Sequence, residues 1–156
     1  MKYLLHRAAH NDVSSAFRLY ESRVQWMEEQ GLYQWNKTDY LNAYPISYFK
    51  KHAMLGNLYV MENTENGKII GSVVLLETDE RWGDNRSSDA YYIHNLATDI
   101  SEKGVGKIIL SQIENLAIES RKKYLRLDCA ADNIFLNNYY EEAGYYEAGI
   151  CREGLY

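Results

Sequence analysis

Apolar residues in the first part of the chain recur at the intervals of a strand and then of a helix. Residues 2–8 have the pattern of a short first strand or edge strand. Asn11 or Asp12 is expected to cap the helix that follows, and Gly31 to end it in a left-handed conformation. The apolar positions of this helix lie three and four residues apart, as one helix face requires: Val13, Phe17, Tyr20, Val24 and Met27.

A second helix and a β-hairpin are predicted in the middle of the chain. Pro45 suits the start of a helix, where its missing N–H would have no partner, and Gly56 stops that helix. Two runs of strand-forming residues, 58–61 and 68–76, flank the dipeptide Asn66-Gly67. This dipeptide is the strongest short signal for a hairpin turn.

Strands and helices alternate in the rest of the chain. We predict a strand over 90–98, a helix over 104–121, a strand over 124–130, a helix that Asp132 or Asn133 caps and Gly144 ends, and one or two strands over 145–156. The order β-α-α-β-β-β-α-β-α-β, with one further strand left open, predicts an α/β fold with a central mixed sheet flanked by helices. No linker or repeat interrupts the pattern, so residues 1–156 are expected to form a single domain.

Composition excludes disordered and membrane-spanning proteins. Hydrophobic residues make up 46% of the chain and charged residues 25%, which are the proportions of a globular protein. The mean hydropathy is -0.50, and no apolar run approaches the length of a membrane span. The first residues lack the apolar stretch of a signal peptide, so we expect a cytoplasmic protein.

Charge and cysteine content narrow the possible partners. A net charge of -5 gives no basic surface for nucleic acid, and it mildly favours cationic partners such as amines. Two cysteines are too few for a zinc site or a disulfide framework, so no metal site is expected. The fifteen tyrosines are unusual, and we attribute most of them to packing.

A strand that turns into a helix at Gly104-Val105-Gly106 carries the most informative pattern. Unpaired N–H groups at a helix N-terminus bind phosphate, and glycine lets the phosphate approach closely. A Walker A loop is excluded because Ser101 and Ile108 stand where it needs glycine and a hydroxyl residue. The dinucleotide fingerprint is excluded because it needs a small residue in place of Ile109. The shorter pattern that remains is also compatible with a helix that merely begins at a tight turn.

Two longer segments resolve this ambiguity. Residues 92–98 and 104–110 resemble motif A of the GNAT acyl-CoA N-acetyltransferases, and residues 125–145 resemble motif B, with its asparagine, aromatic-tyrosine pair and Gly-Tyr. The predicted element order is also that of the GNAT fold, so the resemblance covers essentially the whole chain. One departure is Ser101, where the family usually has arginine or glutamine; we expect weaker, not abolished, cofactor binding.

The resemblance implies acetyl-CoA as cofactor and direct transfer of its acetyl group to an amine. Asn133 would contact the pantetheine arm, with a plain helix cap as the alternative. The other residues implied for cofactor binding are the pantetheine-pairing strand Leu96, Ala97 and Thr98 and the pyrophosphate loop Glu102, Lys103, Gly104, Val105, Gly106 and Lys107.

Direct transfer needs a base that removes a proton from the amine and an acid that protonates the leaving sulfur. Tyr140 matches the family tyrosine that faces the thioester sulfur, so we assign it as the acid; a packing role is the alternative. His94 is the candidate base, since an imidazole has an ordinary pKa of about 6.5; a structural role is the alternative. Strand alternation predicts that Tyr92, His94, Leu96 and Thr98 share one side of their strand.

The acceptor side is expected to include Tyr33, Gln34 and Trp35, with Trp82 as a further candidate; a lid on the core is the alternative for these aromatic residues. The acceptor is a small-molecule amine or a peptide or protein amine, and the sequence does not choose between them. It also leaves open the length of the acyl group, the identity of the base and a homodimer. A non-catalytic acyl-CoA-binding or regulatory module is the alternative to an enzyme.

Overall fold

The sheet of this protein is mixed, as predicted. The computed structural model describes residues 2–32, 34–79, 82, 89–129 and 133–147. Within them, five strands follow one another in the sheet in chain order, and all neighbours are antiparallel except the last pair, which is parallel. The strands are β1 (Tyr3–Arg7), β2 (Leu58–Asn63), β3 (Lys68–Leu76), β4 (Ala90–Thr98) and β5 (Tyr124–Leu127).

Four of the helices were predicted, and one short helix was not. A single helical turn, α2, follows the first helix and was missed because its residues have no apolar period. The predicted final strands lie mostly outside the described residues, and 145–147 belong to no strand. The helices are α1 (Val13–Glu29), α2 (Tyr40–Ala43), α3 (Ile46–Met54), α4 (Val105–Glu119) and α5 (Ile134–Glu142).

Two apolar cores cover the two faces of the sheet. Helices α1, α2 and α3 pack on one face, where Tyr20 and Phe49 are fully buried with Val74 of β3. Helix α4 packs on the other face, where Ile109 is buried against Val73. Neighbouring valines of one strand therefore serve opposite cores, as strand alternation requires. No helix in the described ranges is long and apolar enough to cross a membrane.

Strand β4 departs from regular alternation, and the prediction that residues 92–98 alternate throughout is wrong. Asn95 and Leu96 together lie opposite the single residue Val73 of β3, which makes a β-bulge. Asn95 has φ of 56°, a left-handed conformation that asparagine tolerates better than most residues. As a result Leu96 packs in the α4 core with Ile93, while the Asn95 side chain faces the other helices.

Three tyrosine hydroxyls hold the bulge. The hydroxyl of Tyr48 donates to Asn95 Oδ1 at 2.8 Å, and Asn95 Nδ2 donates to the hydroxyl of Tyr40 at 2.6 Å. The Tyr20 hydroxyl lies 2.6 Å from the Asn95 carbonyl oxygen and 2.9 Å from Ser72 Oγ. Because a carbonyl only accepts, Tyr20 donates to Asn95 and accepts from Ser72. Part of the tyrosine content therefore serves polar anchoring and not only packing.

We expect Tyr20→Phe to lower the free energy of unfolding by about 1–3 kcal/mol, because it leaves the half-buried Asn95 carbonyl without this donor. Urea unfolding curves measure the loss. Tyr91→Phe is the matched control, since its hydroxyl bonds Ser120 at the exposed surface, and its effect should stay below about 0.5 kcal/mol. Equal effects of the two changes would contradict the anchoring role.

Candidate active site

A cleft of about 1060 Å³ opens where β4 and β5 separate. The two strands pair only as far as Ile93 and Leu127, so the last residues of β4 extend beyond β5. The end of β4, the loop into α4 and helix α5 line the cleft together with residues from α1 to α3. Most of the predicted site residues line it: Gln34, Trp35, His94, Leu96, Ala97, Thr98, Glu102, Lys103, Gly104, Val105, Gly106, Lys107 and Tyr140.

Three other candidates are not among the described residues that line the cleft. The Asn133 side chain caps α5 by accepting a hydrogen bond from the Leu136 amide at 3.0 Å. Its role as a helix cap is therefore confirmed, and its contact with a cofactor stays a prediction. Tyr33 lies outside the described residues. Trp82 packs against the guanidinium of Arg126, 4.9 Å from its ring, and is not among the described residues that line the cleft.

The start of α4 has the features of an anion site. Gly104 precedes the helix with φ of 78°, and no side chain caps the helix. The amides of Val105, Gly106 and Lys107 therefore keep the unpaired N–H groups of a first helical turn. The first turn carries no acidic residue, so nothing there neutralises the positive end of the helix dipole. These features fit a phosphate group.

A serine takes part in building the loop before this helix. The amide and hydroxyl of Ser101 both donate to Asp99 Oδ1, at 2.9 and 2.7 Å. Lys68 lies 3.1 Å from the other Asp99 oxygen. Burial raises the pKa of Asp99, but the Ser101 hydrogen bonds and Lys68 outweigh it and hold that pKa below its usual value. The amide of Glu102 also donates to the Asp99 carbonyl at 3.2 Å, so it already has a partner in the loop.

A second constraint, which the sequence did not reveal, requires a glycine at position 106. A Cβ atom at this position would lie 2.6 Å from the hydroxyl oxygen of Tyr139, which belongs to α5. Tyr139 packs against the α4 core and also lines the cleft. Glycine therefore lets α5 approach the start of α4.

The Tyr140 hydroxyl is suited to donating a proton. Burial raises the pKa of Tyr140 well above its usual value, and Cys129 and the neighbouring tyrosines raise it further. The phenol therefore keeps its proton at neutral pH. Tyr140 also packs against the α4 core, so the packing role given above as the alternative applies to it as well. It lines the cleft at the end of β5, beside Asp128.

His94 lies against carboxylates that the sequence analysis did not single out. Its Nε2 atom is 3.1 Å from Asp79 Oδ2, and both side chains are mostly buried. Asp128 completes a group whose nitrogen and oxygen atoms all lie within 4.8 Å of one another. A histidine beside carboxylates also suits proton transfer, so this grouping alone does not assign a metal. Asp79 follows β3 in a polar loop without periodicity, which gave no signal for it.

Aromatic rings form the other wall of the cleft. Trp35 stacks on Tyr40 with 4.2 Å between ring centroids. Both rings line the cleft with Gln34, Tyr44 and Tyr48. Because Tyr40 also belongs to the buried core under α1, Trp35 covers the core and faces the cleft at once. Contact with the acceptor and a lid on the core, the two alternatives for this segment, are therefore compatible.

Residues 24–145 match the model of the acetyltransferase (GNAT) family. The chain belongs to this family and is an acyltransferase, as the sequence resemblance predicted. Family members bind acyl-CoA and act on amine acceptors.

The chain is similar to the uncharacterised N-acetyltransferase YesJ of Bacillus subtilis, with 27% identity over 96% of this chain and 84% of that protein. It is similar to a GNAT-family acetyltransferase from Listeria monocytogenes, with 26% identity, a TM-score of 0.81 and coverage of 96% and 89% of the two chains. It also shares its fold with the PaiA N-acetyltransferase of Thermoplasma acidophilum, solved with coenzyme A, at 13% identity, a TM-score of 0.66 and coverage of 91% and 88%.

We expect Gly106→Ala to lower the free energy of unfolding by about 1 kcal/mol or more, because the new Cβ meets the Tyr139 hydroxyl. In a Tyr139→Phe background the nearest remaining ring atom is 3.7 Å away, which is an ordinary contact. Alanine should then stabilise by about 0.5–1 kcal/mol through its helix propensity. Urea unfolding of the wild type, the two single variants and the double variant measures the effect of Gly106→Ala in each background. An effect of the same sign in both backgrounds would contradict the contact.

Proposed function

We propose that residues 1–156 form one N-acetyltransferase domain that moves an acetyl group from acetyl-CoA directly to a primary amine. The acceptor is a small molecule or a peptide or protein amine. The observation that carries the proposal is the cleft itself. It joins the free end of β4, the uncapped start of α4 and the protonated hydroxyl of Tyr140.

The cofactor fits the residues of one half of the cleft. The amides of Val105 to Lys107 suit its pyrophosphate, and Lys103 and Lys107 add positive charge beside them. The end of β4, residues 96–98, offers strand backbone beyond the point where β5 stops, which suits pairing with the amides of a pantetheine arm. Bound there, acetyl-CoA supplies an electrophilic thioester carbon.

The chain's own side chains divide the proton transfers. His94 accepts a proton from the amine, directly or through water, since most aliphatic amines are protonated at neutral pH and attack only as the free base. Asp79 stabilises the imidazolium that forms. Tyr140 donates a proton to the leaving sulfur. No covalent intermediate on the enzyme is needed.

The first test combines binding with turnover. Acetyl-CoA should raise the melting temperature, because a ligand at a hundredfold its Kd stabilises the native state by about 2.7 kcal/mol. CoA should do so nearly as well, because it keeps the phosphates. With acetyl-CoA and a panel of monoamines, diamines, amino acids and peptides, release of free thiol should follow with at least one amine.

The two readouts separate two kinds of failure. If millimolar acetyl-CoA produced no shift, the assignment of the cofactor half would be wrong. A shift without thiol release from any amine would contradict acetyl transfer and favour a module that only binds acyl-CoA.

Tyr140→Phe should lower kcat by about 10²–10⁴-fold and leave acetyl-CoA affinity nearly unchanged, because it deletes only the proton donor. Tyr145→Phe is the matched control: its ring packs on Tyr140 with 6.1 Å between centroids, and it does not line the described part of the cleft. Initial rates of thiol release at saturating acetyl-CoA measure both. A loss below about threefold in Tyr140→Phe would return this residue to a packing role.

The pH dependence should report on His94. Activity is expected to fall as pH drops, because a protonated imidazole accepts no further proton. The part of the pH profile in which activity falls toward low pH is its acidic limb. With two acceptors of different amine pKa, a limb that shifts with the acceptor belongs to the substrate, and a limb that stays fixed belongs to the enzyme. The fixed limb should disappear in His94→Gln and move to lower pH in Asp79→Asn, where the imidazolium loses a carboxylate neighbour. A fixed limb that survives in His94→Gln would show that another group is the base.

A further inference from the structure

A rigidly held arginine enters the cleft from helix α1. The Nε atom of Arg23 donates to the carbonyl oxygen of Thr98 at 2.9 Å, and its Nη2 atom donates to Thr98 Oγ1 at 2.6 Å. Its guanidinium also lies over the ring of Trp26, 5.0 Å from the centroid. Arg23, Trp26 and Thr98 all line the cleft. The guanidinium is therefore fixed in position at the end of β4.

The charge of Arg23 has no carboxylate within ion-pair distance in the described part of the chain. Asp99 acts on it only through space, and that carboxylate is bonded to Lys68 and Ser101. Burial lowers the pKa of Arg23, which shows that its charge has lost part of its hydration. A desolvated charge without a counterion is costly, so an anion from outside would stabilise it.

The donors of Arg23 are arranged for such an anion. A guanidinium has five N–H groups, and Thr98 occupies the side formed by Nε and one N–H of Nη2. Of the three N–H groups that remain, one on Nη1 and one on Nη2 form the second fork, whose spacing matches the two oxygens of a carboxylate.

Arg23 approaches the end of β4 from the face of the sheet opposite to α4. Helices α1 and α4 cover opposite faces of the sheet, so Arg23 reaches the cleft from the side of Trp35 and Tyr40. Along β4, Thr98 lies four residues after His94, but the bulge lies between them, so they span only three residues of β3, from Val74 to Gly71, or about 10 Å. The side of the cleft away from α4 thus has carboxylates at the His94 end and a cation at the Thr98 end.

We propose that Arg23 binds a carboxylate of the acceptor, so that the preferred acceptors carry an amine at one end and a carboxylate roughly 10 Å away. An ω-amino acid with a long chain or a short peptide with a free C-terminus has this form. This inference rests on the proposed function, because it takes the cleft to be the site of acetyl transfer.

Matched pairs of acceptors test the proposal. We compare 8-aminooctanoate with octylamine, and triglycine with its C-terminal amide, by kcat/KM for thiol release. The wild-type chain should prefer the carboxylate member of each pair by about ten- to a hundredfold, as expected for a hydrogen-bonded charge pair. The shorter pair 4-aminobutyrate and butylamine should show a smaller preference. Arg23→Gln should abolish the preference, and Arg23→Lys should keep part of it.

Arg18→Gln is the control, since Arg18 is an exposed residue of the same helix outside the cleft; it should leave every ratio unchanged. A wild-type chain without the preference would overturn the proposal whatever the variants do. If Arg23→Gln lowered kcat/KM equally for both members of a pair, Arg23 would only support β4. If the variant reduced the CoA-induced melting shift and left the ratios of kcat/KM unchanged, Arg23 would instead bind the cofactor phosphates.

Failure of the proposed function is distinguishable from failure of this inference. If no amine gave turnover, calorimetric titration of 8-aminooctanoate and octylamine into the CoA-bound chain would measure the same ratio by binding. Equal affinities of the two compounds for the wild-type chain would then overturn the assignment of Arg23.

Discussion

The hydrogen bonds between three tyrosines and Asn95 are the interaction on which the cleft depends. A left-handed residue in a strand costs on the order of 1 kcal/mol, and the bulge leaves backbone groups without regular ladder partners. Three short hydrogen bonds that join Asn95 to α1, α2 and α3 offset that cost. A bulged strand bends, and β4 does lose β5 as a neighbour within two residues of Ile93. The anchored bulge thus lies at the point where the sheet opens.

The same bulge changes which face of the sheet the successive side chains of β4 lie on. Before it, His94 lies beside Asp79; after it, Leu96 packs toward α4. One strand therefore brings together the half of the cleft that suits a cofactor and the half that suits an acceptor. Ser101 contributes to this arrangement, because its hydrogen bonds to Asp99 stabilise the loop that leads into α4.

Features that depend on neighbours in sequence could be predicted, and features that depend on distant partners could not. Apolar spacing and terminal glycines predicted α1, α3, α4 and α5, and the Gly104-Val105-Gly106 pattern predicted the start of α4. The alternation of β4 failed at Asn95, because a bulge is set by tyrosines 47 to 75 residues away. Arg23 and Asp79 gave no signal for the same reason, since only the folded chain places them in the cleft or beside His94.

In the proposed acetyl transfer, burial affects both the hydroxyl of Tyr140 and the sulfur that it would protonate. An ordinary thiol has a pKa of about 8.5 and tyrosine of about 10, so in water a phenol would protonate a thiolate only reluctantly. Burial raises the pKa of Tyr140 further, which makes it a weaker acid but keeps its proton in place. Desolvation in the same cleft also destabilises a thiolate and raises its basicity. Because both groups shift in the same direction, their difference stays small. Burial of the tyrosine alone would widen the gap between the two pKa values, and desolvation of the sulfur in the same cleft keeps that gap close to its value in water.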